Sequence, residues 1–382
     1  MLQLIINVSY YSLNSVQAKM GINYFTSAFG GLMLSFASAL MFVGLFRYYG
    51  PKDLNMRKKR AAHSRPTSRL GGVAVCLSIL FTILIHGHPL HLEIAISAIP
   101  IFFVGLLEDL GHRQKPKVRL AIGALSAAIF IIHEGIYIRS VGIEWGNFVL
   151  SVTPIAILFT IFCVVALTNA LNFIDGINGL ASGKTLIAAF ALMWLSDTYN
   201  EPNLALLGTA IFSASLGLFM LNYPKGRIFL GDAGAYTLGF LLAVSLITLH
   251  SKHPEISAWS ILLVIFWPIA DMGHSIIRRM LNKRRLDRPD NLHVHHVIMR
   301  SLLIVAGVRI SKQLANPLAT AIILPLSAVP VTLGVVFNQN NGLCMAMFFG
   351  FALLFACTHC GIIKATRWYI LVAQKPKKNV FN

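Results

Sequence analysis

Two short sequences in this chain combine an Asp carboxylate with neighbouring glycines directly beside long apolar segments. The first lies in NFIDGINGLASG, residues 172–183, and the second in FLGDAGA, residues 229–235. An ionised carboxylate near hydrocarbon costs roughly 2.5–3.5 kcal/mol on insertion scales, so these residues need a partner that holds them there. Carboxylate and amide oxygens are ligands for Mg²⁺, and two such loops on one membrane face could share an ion. The pattern predicts metal-assisted chemistry at the ends of membrane helices.

The first of these loops spaces its polar side chains regularly. Asparagine or aspartate recurs every three residues at Asn169, Asn172, Asp175 and Asn178. On a helix or a series of turns, this spacing lines one side with amide and carboxylate oxygens, and the glycines between them would let a nucleotide approach the backbone. The alternative is a helix break capped by Asn and Asp side chains, and Asp232 in the second loop could likewise cap the helix that follows it.

An acidic pair, Glu108 and Asp109, directly follows the apolar run IFFVGLL. Two adjacent carboxylates at a membrane boundary repel each other, which favours a neighbouring cation or a use as a base. The alternative is a solvated helix end. Both residues are therefore candidate catalytic groups.

Two basic loops could bind phosphate. In residues 57–72, Arg69 is followed by Leu and a Gly pair whose backbone could close on an anion; otherwise this loop is a topology anchor. The longest loop, 278–300, contains Arg288 and an HVHH cluster, and these side chains donate hydrogen bonds to phosphate oxygens. A zinc site is disfavoured, because adjacent His side chains rarely direct both rings at one ion, and a solvated basic face is the other alternative. The histidines are His293, His295 and His296.

These loops must be positioned by membrane helices. Of the 382 residues, 56% are hydrophobic and 12% are charged, which is typical of an all-α, polytopic membrane protein. Apolar runs of about 20 residues are long enough to span a bilayer. We interpret residues 1–382 as a single domain with ten or eleven transmembrane helices. The candidate spans lie near 24–46, 70–88, 91–107, 119–135, 147–171, 184–198, 204–222, 236–250, 257–275, 313–337 and 343–366.

The net charge of +18 raises the question of nucleic-acid binding, which the positions of the basic residues answer. All but three of the 32 Lys and Arg residues fall in alternate loops and in the segment from residue 364 onward; the exceptions are Lys19, Arg139 and Lys252. The positive-inside rule then places the N-terminus outside and the C-terminus, with a short basic tail at 375–382, in the cytoplasm. The charge predicts topology and attraction to anionic lipid, and no nucleic-acid partner.

In combination, these motifs resemble those of the polyprenyl-phosphate N-acetylhexosamine-1-phosphate transferases, glycosyltransferase family 4, which include the phospho-MurNAc-pentapeptide translocase of peptidoglycan synthesis. The resemblance rests on the acidic pair, N-x-x-D-G-x-N-G-L-A, G-D-A-G, a P-x-x-D helix end from Pro268 to Asp271, and the histidine loop. It implies an enzyme of the bacterial inner membrane whose active site faces the cytoplasm. The implied reaction transfers a sugar 1-phosphate from a UDP-N-acetylhexosamine to undecaprenyl phosphate with Mg²⁺, or Mn²⁺ in its place, and releases UMP.

The resemblance also implies roles for individual residues. Asp232 corresponds to the main Mg²⁺ ligand and Asn172 to a second ligand, with Asp175 beside them as a catalytic group. Asp109 matches the second acid of the family's Asp-Asp pair, which is expected to act as a base or to organise the lipid phosphate. Glu108 stands where the family has the first Asp of that pair.

Substrate contacts are implied for the remaining motif residues. Asn178 and the backbone of Gly179 would contact uracil or the sugar. The residues expected at the diphosphate or the sugar are Arg288, His293, His295 and His296.

The HVHH sequence is similar to the branch of the family that initiates O-antigen, enterobacterial common antigen or exopolysaccharide chains, and it departs from the three consecutive histidines of the peptidoglycan enzyme. We therefore expect UDP-GlcNAc or a relative as the donor. The alternatives are the lipid I-forming peptidoglycan branch, a secondary transporter and a lipid-binding assembly protein without catalysis. Transporters usually place ionisable residues at the bilayer midplane, whereas the acids here lie at helix ends. A homodimer is compatible with the sequence, which leaves the oligomeric state open.

Overall fold

The computed structural model describes residues 2–49, 67–86, 88–285, 290–306 and 310–373. Within these ranges the chain forms 14 α-helices and no strand. The predicted phosphate contact Arg288 and the tail 375–382 lie outside the described residues. The helices are α1 Leu2–Tyr49, α2 Gly71–His86, α3 Pro89–Asp109, α4 Pro116–Glu134, α5 Glu144–Leu150, α6 Thr153–Ile174, α7 Leu180–Thr198, α8 Pro202–Asn222, α9 Gly231–Lys252, α10 Ala258–Val264, α11 Phe266–Leu281, α12 Val294–Ala306, α13 Lys312–Val336 and α14 Asn341–Ala373.

The predicted all-α membrane architecture is confirmed. In the described part of the chain, eight helices are long and apolar enough to cross a bilayer: α1, α3, α4, α6, α8, α9, α13 and α14. Helices α10 and α11 meet at a bend of 87° and would form a ninth span if they are counted together. The predicted segments near 70–88 and 184–198 form α2, with 16 residues, and α7, with 19 residues, and neither is among the eight. A count of eleven spans therefore stays a prediction.

Helix α9 lies at the centre of the bundle. Its most apolar stretch is fully buried, and it packs against α2, α3 and α6, whereas the corresponding stretches of α1 and α14 are mostly exposed. A helix that is apolar on all sides is suited to such a position. The carboxylate of Asp232 lies in the first turn of α9, so the most enclosed helix of the bundle presents a charged group at one membrane face.

Glycines allow α2 and α3 to approach the start of α9 closely. Gly71 and Gly72 donate backbone hydrogen bonds to the carbonyls of Phe229 and Leu230, at 3.0 and 2.7 Å. A Cβ at Gly105 in α3 would lie 2.6 Å from the backbone of Ala233. Side chains at these positions would push the helices apart, so the glycines fix where the ends of α2 and α3 meet α9.

Replacing Gly105 with Val should destabilise the fold. Overpacking a tightly packed core typically costs about 1–3 kcal/mol, and here the new side chain would meet backbone atoms that cannot rotate away. Thermal unfolding of the detergent-purified protein measures the effect. Gly350→Val in α14 is the matched control, because nothing lies within 4 Å of a Cβ at that position. Equal unfolding temperatures for the two variants would contradict this packing account.

Candidate active site

The carboxylate of Asp109 caps the N-terminus of α9. Its Oδ1 accepts a hydrogen bond from the backbone N–H of Asp232 and its Oδ2 accepts one from Ala233, both at 2.9 Å. The first N–H groups of a helix have no partner within the helix, and an anion there is stabilised by the helix dipole. Gly231 has φ +75° and a Cβ there would lie 2.5 Å from Asp109 Oδ2, so this position requires glycine.

The two members of the acidic pair have different surroundings. The Oε2 atom of Glu108 accepts a hydrogen bond from the backbone N–H of Gln114 at 2.7 Å and so closes the turn between α3 and α4. Asp109 instead points toward α9. Glu108, which is one methylene longer than Asp, is therefore compatible with this arrangement, because its carboxylate closes the turn between α3 and α4.

Asp232 is held between an amide and a guanidinium. The Nδ2 atom of Asn172, near the end of α6, donates to Asp232 Oδ1 at 3.0 Å. The guanidinium of Arg119, in the first turn of α4, lies 3.8 Å from Asp232 Oδ2. The structure thus brings together Asn172 and Asp232, which are 60 positions apart in the sequence, as the predicted metal site requires.

Asp175 completes a cluster of three carboxylates around the first residues of α9. It follows the last residue of α6, and the backbone N–H of Gly231 favours its ionised form. Burial raises the pKa of Asp175 to about 7, and the negative charges of Asp232 and Asp109 act in the same direction, while Arg69 opposes them. The negative charge of the cluster is therefore incompletely neutralised by the chain itself.

The donor set fits a hard divalent cation. Carboxylate and amide oxygens from Asp232, Asp175 and Asn172 converge, and rotating the Asn172 amide by a half turn would direct its oxygen at the ion. Among the described residues, no three His, Cys, Asp or Glu side chains are arranged as a complete metal centre. Mg²⁺ usually keeps waters and substrate phosphates as ligands and takes only one or two carboxylates.

Asp271 fastens the histidine cluster. Its Oδ2 lies 2.9 Å from His293 Nδ1, and its Oδ1 accepts a hydrogen bond from the N–H of Val294 at 3.0 Å, which caps α12. His295 is fully buried, and its Nε2 would lie 2.5 Å from a Cβ at Gly176. The HVHH cluster therefore packs against the Asp-Gly turn that follows α6, although more than a hundred residues separate them.

The histidines differ in their electrostatics. Burial lowers the pKa of His296 to about 3, and the neighbouring His295 and His293 add to the effect. Burial also lowers the pKa of His295, whose Nδ1 lies 3.7 Å from Asp271 Oδ2. At neutral pH, His296 is consequently a neutral donor or acceptor. Its contact with a phosphate would be a hydrogen bond to an uncharged imidazole.

Asn178 and Gly179 fasten the start of α7 to its neighbours. The Asn178 side chain donates to the carbonyl of Pro224 at 2.8 Å, its backbone N–H donates to Asn316 Oδ1 at 2.8 Å, and the N–H of Gly179 donates to Asn222 Oδ1. The expectation that the Gly179 backbone contacts substrate is at odds with this geometry, because its N–H is already donated. The buried Oδ1 of Asn178 has no hydrogen-bond partner in the part of the chain described here, and the predicted substrate contact of Asn178 depends on it.

Arg69 lies beside the carboxylates at the start of α2. The neighbouring Ser68 carbonyl accepts a hydrogen bond from the N–H of Phe229 at 2.9 Å, so the segment before α2 pairs with the segment before α9. The side chain of Arg69 is exposed, and its charge lowers the pKa of Asp175. This position is compatible with the predicted binding of an anion at the site entrance.

Sequence reasoning missed two residues that support the site. Arg119 was one basic residue among several in its loop, and nothing in the sequence singled out its contact with Asp232. His359 in α14 is buried, and its Nε2 lies 2.8 Å from the carbonyl of Leu292, directly before the histidine cluster. A histidine within an apolar run gives no local signal of such a contact.

Asn222→Ala should lower the stability of the fold. It would leave the N–H of Gly179 and the carbonyl of Ile228 without the Asn222 side chain, and an unsatisfied buried polar group costs about 1–3 kcal/mol. Thermal unfolding in detergent measures the loss, with the exposed Asn291→Ala as the control. Unchanged stability of Asn222→Ala would show that the α7 and α8 junction is not held by this side chain.

Comparison with known proteins identifies a matching family and several relatives of this chain. A family model described as glycosyl transferase family 4 matches residues 91–250, the segment that runs from α3 to α9. The chain is 28% identical over 248 residues to the probable undecaprenyl-phosphate N-acetylglucosaminyl 1-phosphate transferase of Bacillus subtilis, which covers 63% of this chain and 68% of that protein.

Two enterobacterial proteins show a similar relationship. The undecaprenyl-phosphate alpha-N-acetylglucosaminyl 1-phosphate transferase of Escherichia coli K12 is 28% identical over 280 residues, covering 69% of this chain and 75% of the relative. The protein of the same name from Salmonella typhi is 30% identical over 255 residues, covering 65% of this chain and 68% of the relative. In all three comparisons, about two thirds of each chain is aligned.

Proposed function

Since the chain belongs to glycosyl transferase family 4, we propose that it transfers N-acetylglucosamine 1-phosphate from UDP-GlcNAc to undecaprenyl phosphate. The observation that carries this proposal is the convergence of Asp109, Asp175, Asp232 and Asn172 around the start of α9, against the histidine cluster. The names of the relatives support the choice of donor and acceptor. The product would be undecaprenyl-diphosphate-GlcNAc, the first lipid-linked sugar of a surface polysaccharide.

The reaction exchanges one phosphoanhydride bond for another. A terminal oxygen of undecaprenyl phosphate attacks the phosphorus that carries the GlcNAc, and a new P–O bond forms. The bond from this phosphorus to the oxygen that bridges to the uridine phosphate breaks, and its electron pair leaves with UMP. Catalysis of such a transfer consists chiefly of aligning two anions and stabilising their charge.

Asp232 and Asn172 are the residues that would hold Mg²⁺, with Asp175 beside them. The ion would supply neutralisation of the diphosphate charge. Asp232 is oriented for this role by Asn172 on one side and Arg119 on the other. Asp175 has a pKa raised to about 7 by burial and by its acidic neighbours, so nearby positive charge would favour its ionised form.

Asp109 would act by fixing the start of α9. Both of its oxygens accept backbone hydrogen bonds from the first turn of α9, and burial raises the pKa of its carboxyl to about 7. A phosphate monoester is also largely ionised near neutral pH, because its second pKa is about 6, so the attacking oxygen needs little help from a base. Positioning of Asp232 is therefore the role that the geometry of Asp109 supports best.

The histidine cluster and Arg69 would contact the phosphates and the sugar from two sides. His293 and His295 lie on Asp271, and His295 and His296 face the Gly176 turn next to Asp175. Neutral imidazoles can donate hydrogen bonds to phosphate oxygens without adding charge to a buried site. Arg69 would supply a full positive charge at the entrance.

We place the active site on the cytoplasmic face of the bacterial inner membrane. The ends of α3 and α6 and the starts of α2, α4 and α9 meet at one face of the bundle, and the predicted basic loops connect helices at this face. The positive-inside rule assigns that face to the cytoplasm, where UDP-sugars are made available. Basic side chains there would also attract the anionic acceptor lipid.

A transporter is disfavoured by the position of the acids. The three carboxylates lie at helix ends, whereas transporters place their ionisable sites near the bilayer midplane between broken helices. The lipid I-forming branch is disfavoured because the relatives named above are all N-acetylglucosaminyl 1-phosphate transferases.

The direct test is UMP release by the purified protein with undecaprenyl phosphate and Mg²⁺. UDP-GlcNAc, UDP-GalNAc and UDP-MurNAc-pentapeptide are offered in turn. We expect release that requires both lipid and metal and that is fastest with UDP-GlcNAc. Preference for the pentapeptide donor would move the chain to the peptidoglycan branch, and no release from folded protein with any donor would contradict the proposed reaction.

Asp232→Asn should fold and lose at least about 100-fold in turnover, because it removes the charge of the main proposed ligand while keeping its shape. The measurement is the initial rate of UMP release at saturating substrates. Arg139→Ala, on the opposite face of the bundle, is the control and should retain the parental rate. Retained activity in Asp232→Asn would remove this residue from the metal site.

Asp271→Asn should reduce turnover by about 10- to 100-fold, the range seen when a group that orients a functional residue is altered. The shape of the cap is kept, but the carboxylate that holds His293 and lies near His295 is lost. Steady-state kinetics for UDP-GlcNAc give KM and kcat separately. An unaltered rate would show that the histidines do not depend on Asp271 for their orientation.

A further inference from the structure

An apolar cavity lies between helices α11, α12, α13 and α14. Its volume is about 680 Å³, and none of its lining residues comes from α2, α3, α4, α6, α7 or α9, the helices that form or support the carboxylate cluster. Leu326, Val329 and Leu354 at its rim are exposed at the outer surface of the bundle. In a helix bundle of this kind that surface faces lipid, so the cavity is accessible to an acyl chain from the membrane.

A basic pocket of about 670 Å³ lies at the ends of α11 and α14. Among the described residues that line it, the acidic one is Asp290, which forms an ion pair with Arg278. Lys283, Arg284 and Arg367 also line the pocket, and this concentration of basic side chains attracts anions. The cationic residues that line it are Arg278, Arg279, Lys283, Arg284, Arg285 and Arg367.

The two spaces are continuous along α14. Ile362 lines the apolar cavity and the next residue, Ile363, lines the basic pocket, with Arg367 about one helical turn further. The start of α12 repeats the pattern: Val294 lines the apolar cavity, and Leu292, two residues earlier, lines the basic pocket. An apolar space thus leads directly to a cluster of cations at the end of two apolar helices.

We propose that this pair of spaces is a binding site for an anionic glycerophospholipid of the surrounding membrane. An acyl chain occupies the apolar cavity between α12 and α14, and the phosphate of the headgroup lies between Arg284 and Arg367. Basic clusters at the ends of membrane helices attract anionic headgroups, by about 1 kcal/mol per Lys or Arg near the surface. A zwitterionic lipid would bring its own ammonium group into a positive pocket and is disfavoured.

The geometry favours a membrane phospholipid over the polyprenyl phosphate substrate. The reacting phosphate must reach Asp232 at the start of α9, but the cavity is on the side of α11 and α12 that faces α13 and α14. The histidines that face the Gly176 turn lie on the other side of α12. The site goes beyond the proposed function and does not depend on it.

The first experiment maps lipid contacts directly. The full-length protein is placed in phosphatidylcholine nanodiscs with a trace of phosphatidylglycerol that carries a photoactivatable diazirine on one acyl chain. After irradiation, mass spectrometry of peptides locates the label. We expect it to concentrate in α12 and α14, and unlabelled phosphatidylglycerol to displace it where additional phosphatidylcholine does not. Label spread evenly over all lipid-facing helices would overturn the proposal.

The second experiment removes headgroup charge. In Arg284→Gln/Arg367→Gln, loss of two cations should reduce phosphatidylglycerol-specific labelling about 30-fold. The matched control is Lys312→Gln/Lys364→Gln, which removes two exposed charges, one at the start of α13 and one on α14, at positions that do not line the pocket. An equal decrease in both variants would indicate only general attraction to the basic face and would contradict a specific site.

The third experiment fills the acyl cavity. Thr358→Trp projects a large side chain from the lining, whereas Cys360→Trp adds the same side chain to α14 at a position that does not line the cavity. Only the first should abolish labelling of α12. Displacement of the label by undecaprenyl phosphate, without displacement by phosphatidylglycerol, would assign the cavity to the substrate and overturn the proposal. Circular dichroism confirms that each variant is folded.

Discussion

The site depends on the contact of Asp109 with the backbone N–H groups of Asp232 and Ala233 in the first turn of α9. This carboxylate, from the end of α3, joins the most enclosed helix of the bundle to its neighbour and fixes the direction in which Asp232 leaves the first turn. The interaction satisfies two backbone donors and also places a negative charge at the positive end of the helix dipole. Gly231 and Gly105 allow the close approach that the contact requires.

The same contact concentrates negative charge. With Asp109 at the start of α9, Asp175 and Asp232 are held close by, and each carboxylate disfavours ionisation of the next. Arg69 and Arg119 offset part of this repulsion from the starts of α2 and α4. Such repulsion near hydrocarbon is relieved either by protonation, which the raised pKa of Asp175 favours, or by a bound cation. The transferase function accounts for this electrostatic repulsion, because a divalent ion and the substrate's phosphates would complete the charge balance.

Much of this arrangement could be predicted from the sequence. The apolar runs and the asymmetry of the basic residues indicated an all-α membrane protein, and the Asp-Gly loops indicated which residues meet. Local patterns do not show how a side chain is used once the helices pack. Asn178 illustrates this, because its N–H groups fasten α7 to Pro224 and Asn316, and contact partners so distant in sequence leave no local spacing.

Asp271 and His359 also make contacts that the sequence alone does not reveal. The P-x-x-D motif marked Asp271 without revealing that its two oxygens hold His293 and the first N–H of α12. His359 supports the same segment from α14, where the sequence shows only an apolar run. The 87° bend between α10 and α11, before Asp271, was not predicted either, because the sequence shows one apolar run at 257–275.

The central claim is that the carboxylates at the start of α9 form a divalent-cation site. Electron paramagnetic resonance of Mn²⁺, titrated into the purified protein without substrate, tests it independently of activity. We expect one class of bound Mn²⁺ that Mg²⁺ displaces and that Asp232→Asn weakens by at least tenfold, with Arg139→Ala unchanged. Equal Mn²⁺ binding by the parent protein and Asp232→Asn would contradict the account.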